Sequence, residues 1–185
     1  MPRNRQHIPR EQRVDELVVA ADELFLTRGF AKTAMSDIAA STGVTNGALY
    51  WYFPTKDHIL AAVMDRAVNL EIERQGDRTA EVGDPTLLLE GLDGLRRYRQ
   101  LHMTMHERMS HSEVVLEAHD RFIDWMRKMA RDALVGHTGE NDIIVELVVA
   151  VFEGVNIPGA RAKPAYELIQ ELFRQVFNVD PSVAR

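Results

Sequence analysis

The chain of 185 residues contains no cysteine, which excludes disulfides, cysteine-ligated metals and a cysteine nucleophile. It also lacks a long hydrophobic run. The most apolar stretch, Ile143–Ile157, is interrupted by Glu146 and Glu153 and is shorter than the roughly 20 residues that cross a bilayer. The arginines at the N-terminus have no apolar segment behind them, so we expect no signal peptide, no membrane association and a cytoplasmic location.

Enzyme signatures are missing as well. The sequence has no glycine-rich phosphate loop, no nucleophile elbow and no paired catalytic motif, and its acidic residues are scattered at the spacing of solvent-exposed helix faces. We therefore predict a protein that is not an enzyme and uses no cofactor.

Basic residues are outnumbered, and the formal net charge is −6. The imbalance is uneven, because residues 1–56 carry seven basic and six acidic side chains, a net of +1, which leaves −7 for residues 57–185. This distribution indicates two functions: residues 1–56 tolerate an anionic partner, whereas residues 57–185 form an acidic part.

Apolar residues recur at the helical period almost throughout, and no stretch has the alternation of a strand, so we predict an all-α fold. Gly29 is expected to end the first helix in a left-handed cap, and Thr45 and Thr55 are expected to cap the third and fourth helices. The predicted helices are 10–28, 35–41, 46–52, 55–75, 85–107, 112–135, 141–157 and 164–178.

The second and third helices form a helix-turn-helix around Gly43. The third contains four consecutive aromatic residues, Tyr50 to Phe53, which cannot all lie on one buried face because a helix turns about 100° per residue. Leu49 and Phe53 define the buried side, and Trp51 points directly away from it. This geometry favours an outward surface that contacts a partner, and a helix-turn-helix places such a surface in DNA.

The segment TAMSDIAASTGVTNGALYWYFPTKDHIL, residues 33–60, resembles the DNA-binding signature of TetR-family transcriptional repressors, and AADELFLTRGFAKT upstream resembles the end of that family's first helix. The resemblance covers residues 10–65. The basic start of the chain, with Pro2 and Pro9, predicts a disordered tail at 1–9. The segment 76–85, with two glycines, a proline and little apolar content, predicts a domain boundary. The predicted domains are a helix-turn-helix domain at 10–55, joined by the helix 55–75, and a C-terminal domain at 76–185, for which the resemblance implies ligand binding and dimerisation. The resemblance also implies a homodimeric repressor that leaves a pseudo-palindromic operator when a small molecule binds.

The resemblance further implies which residues contact double-stranded DNA. Thr33, Tyr52 and Lys56 are expected at phosphates, and Asn46 is the expected base reader because its amide pairs with adenine. The full set of implied DNA contacts is Thr33, Thr45, Asn46, Gly47, Ala48, Tyr50, Trp51, Tyr52 and Lys56.

The back half is rich in the methionine and aromatic side chains that line apolar pockets, although the same side chains are equally typical of a helical core. We place an effector cavity, for a largely apolar molecule, between the helices 85–107, 112–135 and 141–157. Its candidate residues are Tyr98, His102, Met105, Met109, Phe122, Trp125, Met126, Met129 and Asn156.

The helices 141–157 and 164–178 are apolar on more than one face and are expected to form a homodimer interface.

His102 and His106 are one helical turn apart, and His111 and His119 follow. That spacing is compatible with metal ligands, but there is no HExxH motif, so hydrogen-bonded or solvated histidines are expected and no metal site is predicted.

Three alternatives stay open: a DNA-binding dimer that responds to a metal ion, one that has no effector, and an enzyme with an incidental helix-turn-helix.

Overall fold

The computed structural model describes residues 9–76, 83–136 and 142–156, together with residues 171, 174 and 175. The described residues are helical with no strand, which confirms the all-α prediction. The helices are α1 (Arg10–Arg28), α2 (Met35–Thr42), α3 (Asn46–Tyr52), α4 (Lys56–Gln75), α5 (Pro85–Gly94), α6 (Arg99–Arg108), α7 (Glu113–Leu134) and α8 (Asp142–Asn156), with a 3₁₀ turn at Leu95–Tyr98. None of the described helices is both long and apolar enough to cross a membrane.

Helix α1 buries the stripe that its periodicity predicts, including Leu17, Ala21 and Phe25. It ends at Gly29, whose amide donates to the Phe25 carbonyl. The predicted left-handed cap is wrong, because Gly29 combines φ 86° with an extended ψ of 151°. A glycine is still required there, since L side chains rarely adopt a positive φ.

Helices α2 and α3 form the expected helix-turn-helix. The Asp37 carboxylate accepts from the Ala34 amide at 2.7 Å and fixes the start of α2, and Gly43 ends α2 in the left-handed conformation at φ 68° and ψ 24°. Thr45 caps α3 as predicted, because its hydroxyl accepts from the Ala48 amide at 3.2 Å.

Helix α4 runs between the helix-turn-helix and the back half, and it packs against both α1 and α7. The predicted side-chain cap at Thr55 is wrong. The Thr55 hydroxyl lies 2.8 Å from Nδ1 of His58 and makes no bond to a helix amide. A single cluster of buried apolar side chains extends from α1 through α4 to α7 and α8.

The predicted helix 85–107 is broken into α5, the 3₁₀ turn and α6. The break lies next to Gly94, which packs against the buried side chain of Glu71 on α4. A Cβ at position 94 would meet the Glu71 carboxylate. Two other α4 side chains hold α5 from the same side. The Gln75 amide donates to the Leu87 carbonyl and Arg74 donates to the Glu90 carbonyl, both at 2.8 Å.

Helices α7 and α8 occupy the predicted ranges 112–135 and 141–157 to within one residue at each end. Helix α7 buries one continuous face, whereas α8 buries Val145, Val148 and Phe152 and exposes Ile143 and Leu147. Most of the predicted helix 164–178, residues 1–8 of the predicted tail 1–9 and residues 77–82 of the predicted boundary 76–85 lie outside the described residues.

Candidate nucleic-acid interface and effector region

The two sides of α3 have different surroundings. Leu49 is fully buried and Phe53 is almost fully buried, so these two side chains anchor the helix to the core. On the other side Tyr50 is 50% exposed and Trp51 is 67% exposed. These are large apolar surfaces left in water, and such surfaces in a folded protein commonly mark a binding site.

The beginning of α3 presents small residues to solvent. Thr45, Asn46 and Gly47 are exposed and Ala48 is half-buried. A Cβ added at Gly47 would meet no other atom of the protein within 4 Å. The fold therefore does not require a glycine at position 47. Because glycine has no side chain, another surface can approach the helix closely at this point.

Arg10 at the start of α1 extends this surface. Its guanidinium carbon lies 5.4 Å from the centre of the Trp51 ring, which in turn makes an edge-to-face contact with Tyr52 at 4.8 Å. Tyr52 is half-buried and packs against the core. The sequence analysis missed Arg10, because nothing in its spacing brings the first turn of α1 next to α3.

Thr33 does not have the accessible hydroxyl that a phosphate contact needs. The residue is 1% exposed, and its Oγ1 donates to the Gly29 carbonyl at 3.0 Å, with the Leu24 carbonyl at 3.4 Å. The hydroxyl is used to close the loop between α1 and α2. In this conformation the hydroxyl is therefore not available for the predicted phosphate contact.

Lys56 is also used inside the domain. Its ammonium group donates to the carbonyls of Phe30 and Thr33 at 2.9 and 3.0 Å and lies 4.1 Å from the centre of the Phe30 ring. Burial, and then the neighbouring Arg108 guanidinium, lower the pKa of Lys56. The structure thus places this amine on backbone carbonyls rather than on the outer surface where a phosphate contact was expected.

The sequence model described as "Bacterial regulatory proteins, tetR family" matches residues 17–63, which span most of α1 through the first part of α4. Residues 17–63 thus form a TetR-family DNA-binding domain, and the helix-turn-helix lies within it.

Two relatives from Pseudomonas putida extend the similarity beyond that domain. The probable HTH-type transcriptional regulator ArpR is 31% identical over 109 residues, which cover 59% of this chain and 46% of ArpR. The HTH-type transcriptional regulator SrpR is 24% identical over 153 residues, which cover 78% of this chain and 72% of SrpR. The match thus spans less than half the length of the first relative. Both relatives are regulators, in agreement with the prediction that the chain is not an enzyme.

Solved structures share the fold over nearly the whole chain. A TetR transcription regulator from Haloarcula marismortui superposes with a TM-score of 0.69 at 19% identity and covers 94% of this chain and 96% of its own. The protein AibR, solved in complex with isovaleryl coenzyme A and operator DNA, superposes with a TM-score of 0.52 at 17% identity, and the match covers 89% of this chain and 98% of AibR.

The predicted effector residues lie in the interior of the back half. Tyr98, His102, Met105, Phe122, Trp125, Met126 and Met129 are buried, Met109 is partly buried, and the side chain of Asn156 lies outside the described residues. An open groove of about 690 Å³ lies elsewhere, between α1 and α4, with Arg10, Asp15 and Arg66 among its lining residues.

Tyr98 joins the back half to the DNA-binding domain. Its hydroxyl donates to Oδ2 of Asp22 on α1 at 3.1 Å and accepts from the Arg97 guanidinium at 2.6 Å. Burial raises the pKa of Asp22 and outweighs the opposing effect of this hydrogen bond. Tyr98 was expected to line the effector cavity. In the structure its hydroxyl instead bonds to Asp22 and Arg97, between the back half and α1.

Three histidines and one glutamate meet where α6, α7 and α8 pack together. His102 and His106 come from α6, His119 from α7 and Glu153 from α8, and one ligand atom of each lies within 4.8 Å of all the others. Burial alone would raise the pKa of Glu153, but hydrogen bonds and charge from the imidazoles lower it to about 2. Burial lowers the pKa of His106. His111 is exposed and lies outside this histidine cluster.

Proposed function

We propose that the chain is a homodimeric repressor whose two α3 helices bind a pseudo-palindromic operator and whose back half releases it when a small molecule binds. The observation that carries the proposal is the outward face of α3, where Tyr50 and Trp51 stand exposed beside an unobstructed helix start. AibR, which shares the fold, was solved with both isovaleryl coenzyme A and operator DNA. This supports a protein in which one part binds DNA and another binds a small molecule.

In this proposal the start of α3 enters the major groove. Asn46 reads a base, preferably adenine through its amide, and Gly47 and Ala48 allow close approach. Thr45, Tyr50, Trp51 and Tyr52 contact sugars and phosphates, with Arg10 contributing positive charge beside Trp51. Thr33 and Lys56 are left out, because their polar atoms hold the α1–α2 loop.

The dimer interface in this proposal includes α8. Ile143 is 79% exposed and Leu147 is 47% exposed, and these residues are one helical turn apart, so they form an apolar stripe on the side opposite the core. A stripe of this kind is self-complementary across a twofold axis, which is the symmetry that a palindromic operator requires. The helix 164–178 would complete the interface.

The effector signal has a physical route in the described residues. Helix α6 forms one wall of the proposed effector region, and its last residue, Arg108, bonds to Asp57 in the first turn of α4. A ligand that favours a different position of α6 would therefore favour a different position of the DNA-binding domain. The effector is expected to be largely apolar, and the regulator to act in the cytoplasm, where bacterial DNA lies.

The decisive experiment is operator binding by variants of α3. Footprinting on the promoter region next to the gene should reveal two half-sites whose centres are at least one helical turn, roughly 34 Å, apart. Asn46→Ala should weaken binding to that operator by roughly tenfold to hundredfold and relax the preference at one base position. Leu116→Ala, at an exposed apolar residue of α7, is the control and should bind like the parent.

Each outcome decides something. Parent-like affinity and specificity in both Asn46→Ala and Tyr50→Ala would refute the proposed interface. Repression is tested separately by a reporter downstream of the footprinted operator, whose expression should rise when the regulator is deleted. A fall in expression would show an activator.

A further inference from the structure

The histidine cluster has the composition and the dimensions of a metal site. His102 Nε2 lies 3.0 Å from Oε1 of Glu153, while His106 Nε2 and His119 Nε2 lie 2.9 and 3.3 Å from Oε2. His102 Nε2 and His106 Nε2 are 3.0 Å apart. In a tetrahedral zinc site with bonds of about 2.0–2.1 Å, neighbouring ligand atoms are about 3.3 Å apart. The four side chains thus need to move little to surround an ion.

Hydrogen bonding satisfies this arrangement only in part. If His102 and His106 both donate an Nε2 proton to Glu153, their two N–H groups lie side by side with the nitrogens 3.0 Å apart and cannot bond to each other. If one ring lacks the Nε2 proton, it can accept from the other ring, but its lone pair then faces a carboxylate oxygen with no proton between them. A cation removes the conflict, because it binds the lone pairs of both rings and of the carboxylate together.

The surroundings favour a bound ion further. His102 is buried, and the rings of Phe122 and Phe152 lie 4.9 and 5.9 Å from its centre, so little water competes for the ligand atoms. His106 is half-buried at the edge of the cluster and leaves a route from solvent.

We propose that His102, His106, His119 and Glu153 form a binding site for one divalent transition-metal ion of the zinc type. Imidazole nitrogens suit Zn²⁺, Ni²⁺, Co²⁺ and Cu²⁺, whereas Mg²⁺ and Ca²⁺ require oxygen ligands and would not bind here. The single carboxylate offsets half of the ion's charge. The ion would tie α6 to α7 and α8, and this site is independent of whether the protein acts as the repressor proposed above.

The test uses the full-length, untagged protein, because a polyhistidine tag would bind the same metals. After treatment with EDTA and removal of the chelator, calorimetric titration should show one Zn²⁺ bound per chain and no heat from Mg²⁺. His106→Gln is the preferred variant because this ring is at the edge of the cluster, and it should weaken zinc binding at least tenfold. His111→Gln is the matched control, at an exposed histidine outside the cluster, and should leave zinc binding unchanged.

Cobalt gives a second readout that does not depend on affinity. Co²⁺ in the parent protein should show the strong visible absorption of a tetrahedral ion, and the spectrum should weaken in Glu153→Gln and persist in His111→Gln. Circular dichroism of each variant checks that the helices are intact. Zinc binding that is absent from the parent, or equally strong in His106→Gln and the parent, would overturn the proposal. No DNA is present in these measurements, so their failure leaves the repressor proposal untouched.

Discussion

Arg108, the last residue of α6, makes two hydrogen bonds to Asp57 in the first turn of α4, and the one from Nη2 to Oδ2 measures 2.8 Å. The same guanidinium lies 5.4 Å from the centre of the Phe30 ring, in the loop whose carbonyls accept from Lys56. One arginine of the back half thus contacts two elements of the DNA-binding domain. The Arg108–Asp57 pair thus links the DNA-binding domain to the back half by polar contacts, in addition to the apolar core that the two share.

We expect the Arg108–Asp57 pair to stabilise the fold more than an exposed pair of the same type. A double-mutant cycle with Arg108→Gln and Asp57→Asn should give a coupling free energy of about 1–2 kcal/mol, reduced by the partial exposure of the arginine. The Arg121–Asp65 pair is also bidentate and joins α7 to α4, but both side chains are exposed, so its coupling free energy should be about 0–1 kcal/mol. Urea denaturation measures both cycles, and equal coupling energies would contradict the expectation.

Asp57 should also give stability a dependence on acid pH. Burial acts to raise its pKa, but the bonds from Arg108 more than compensate, so the pKa is lowered in the folded protein. Its contribution is therefore complete above the ordinary aspartate pKa of about 3.9 and is lost as the pH falls through the folded value. The difference in free energy of unfolding between the parent and Asp57→Asn should be constant from about pH 5 to 7 and shrink below about pH 4. A difference that persists undiminished at pH 3 would refute this.

Gly47 and Gly94 should respond oppositely to alanine. Gly47→Ala adds a Cβ that meets no protein atom, so stability should stay equal or rise by up to about 1 kcal/mol, whereas operator affinity should fall. Gly94→Ala forces the Glu71 carboxylate, which accepts from Arg74, to move away and should destabilise the fold by up to about 1 kcal/mol. Thermal denaturation and fluorescence anisotropy with operator DNA measure the two effects. Undiminished operator binding by Gly47→Ala would argue against close approach at this position.

Lys56→Met should show that this lysine acts within the fold. Loss of the ammonium leaves the Phe30 and Thr33 carbonyls without their donor and should cost about 1–2 kcal/mol of stability. Operator binding at a temperature where the variant is folded should keep the parent's salt dependence. A true phosphate contact would instead reduce the slope of log affinity against log salt by about one per contact.

Leu147→Glu should disrupt the proposed dimer, because it places a charge on the exposed stripe of α8. Analytical ultracentrifugation should show a shift toward monomer at micromolar concentration. Leu116→Glu changes an equally exposed leucine of α7 and should leave the mass distribution unchanged. A parent that is itself monomeric, or a Leu147→Glu variant that remains dimeric, would exclude this stripe from the interface.

Local sequence patterns predicted the features that depend on local chemistry. The bounds of α1, α3 and α7 follow from periodicity and breakers, and the Thr45 cap follows from a hydroxyl three residues before an amide. The break between α5 and α6 was not predicted, and it lies where Gly94 packs against Glu71 of another helix, a contact that has no local signature.

The site residues divide along the same line. The burial of Thr33 depends on how a loop closes, and Lys56 donates to carbonyls 23 and 26 residues away, so neither role has a local signature. The histidine cluster needs Glu153, which is 51 residues from His102 and on another helix. Only the pair His102 and His106 was visible in the spacing, and a pair is too common to predict a site.

The start of α3 has a consequence for how this regulator could evolve. The side chain of Asn46 lies in solvent and Gly47 has empty space around it, while Leu49 and Phe53 on the opposite side hold the helix in place. In the proposed interface, substitutions at 46 and 47 would change which bases are read without a cost in folding. Recognition of a new operator would then be separable from stability, and a copy of the gene could acquire new target promoters through changes at these two positions.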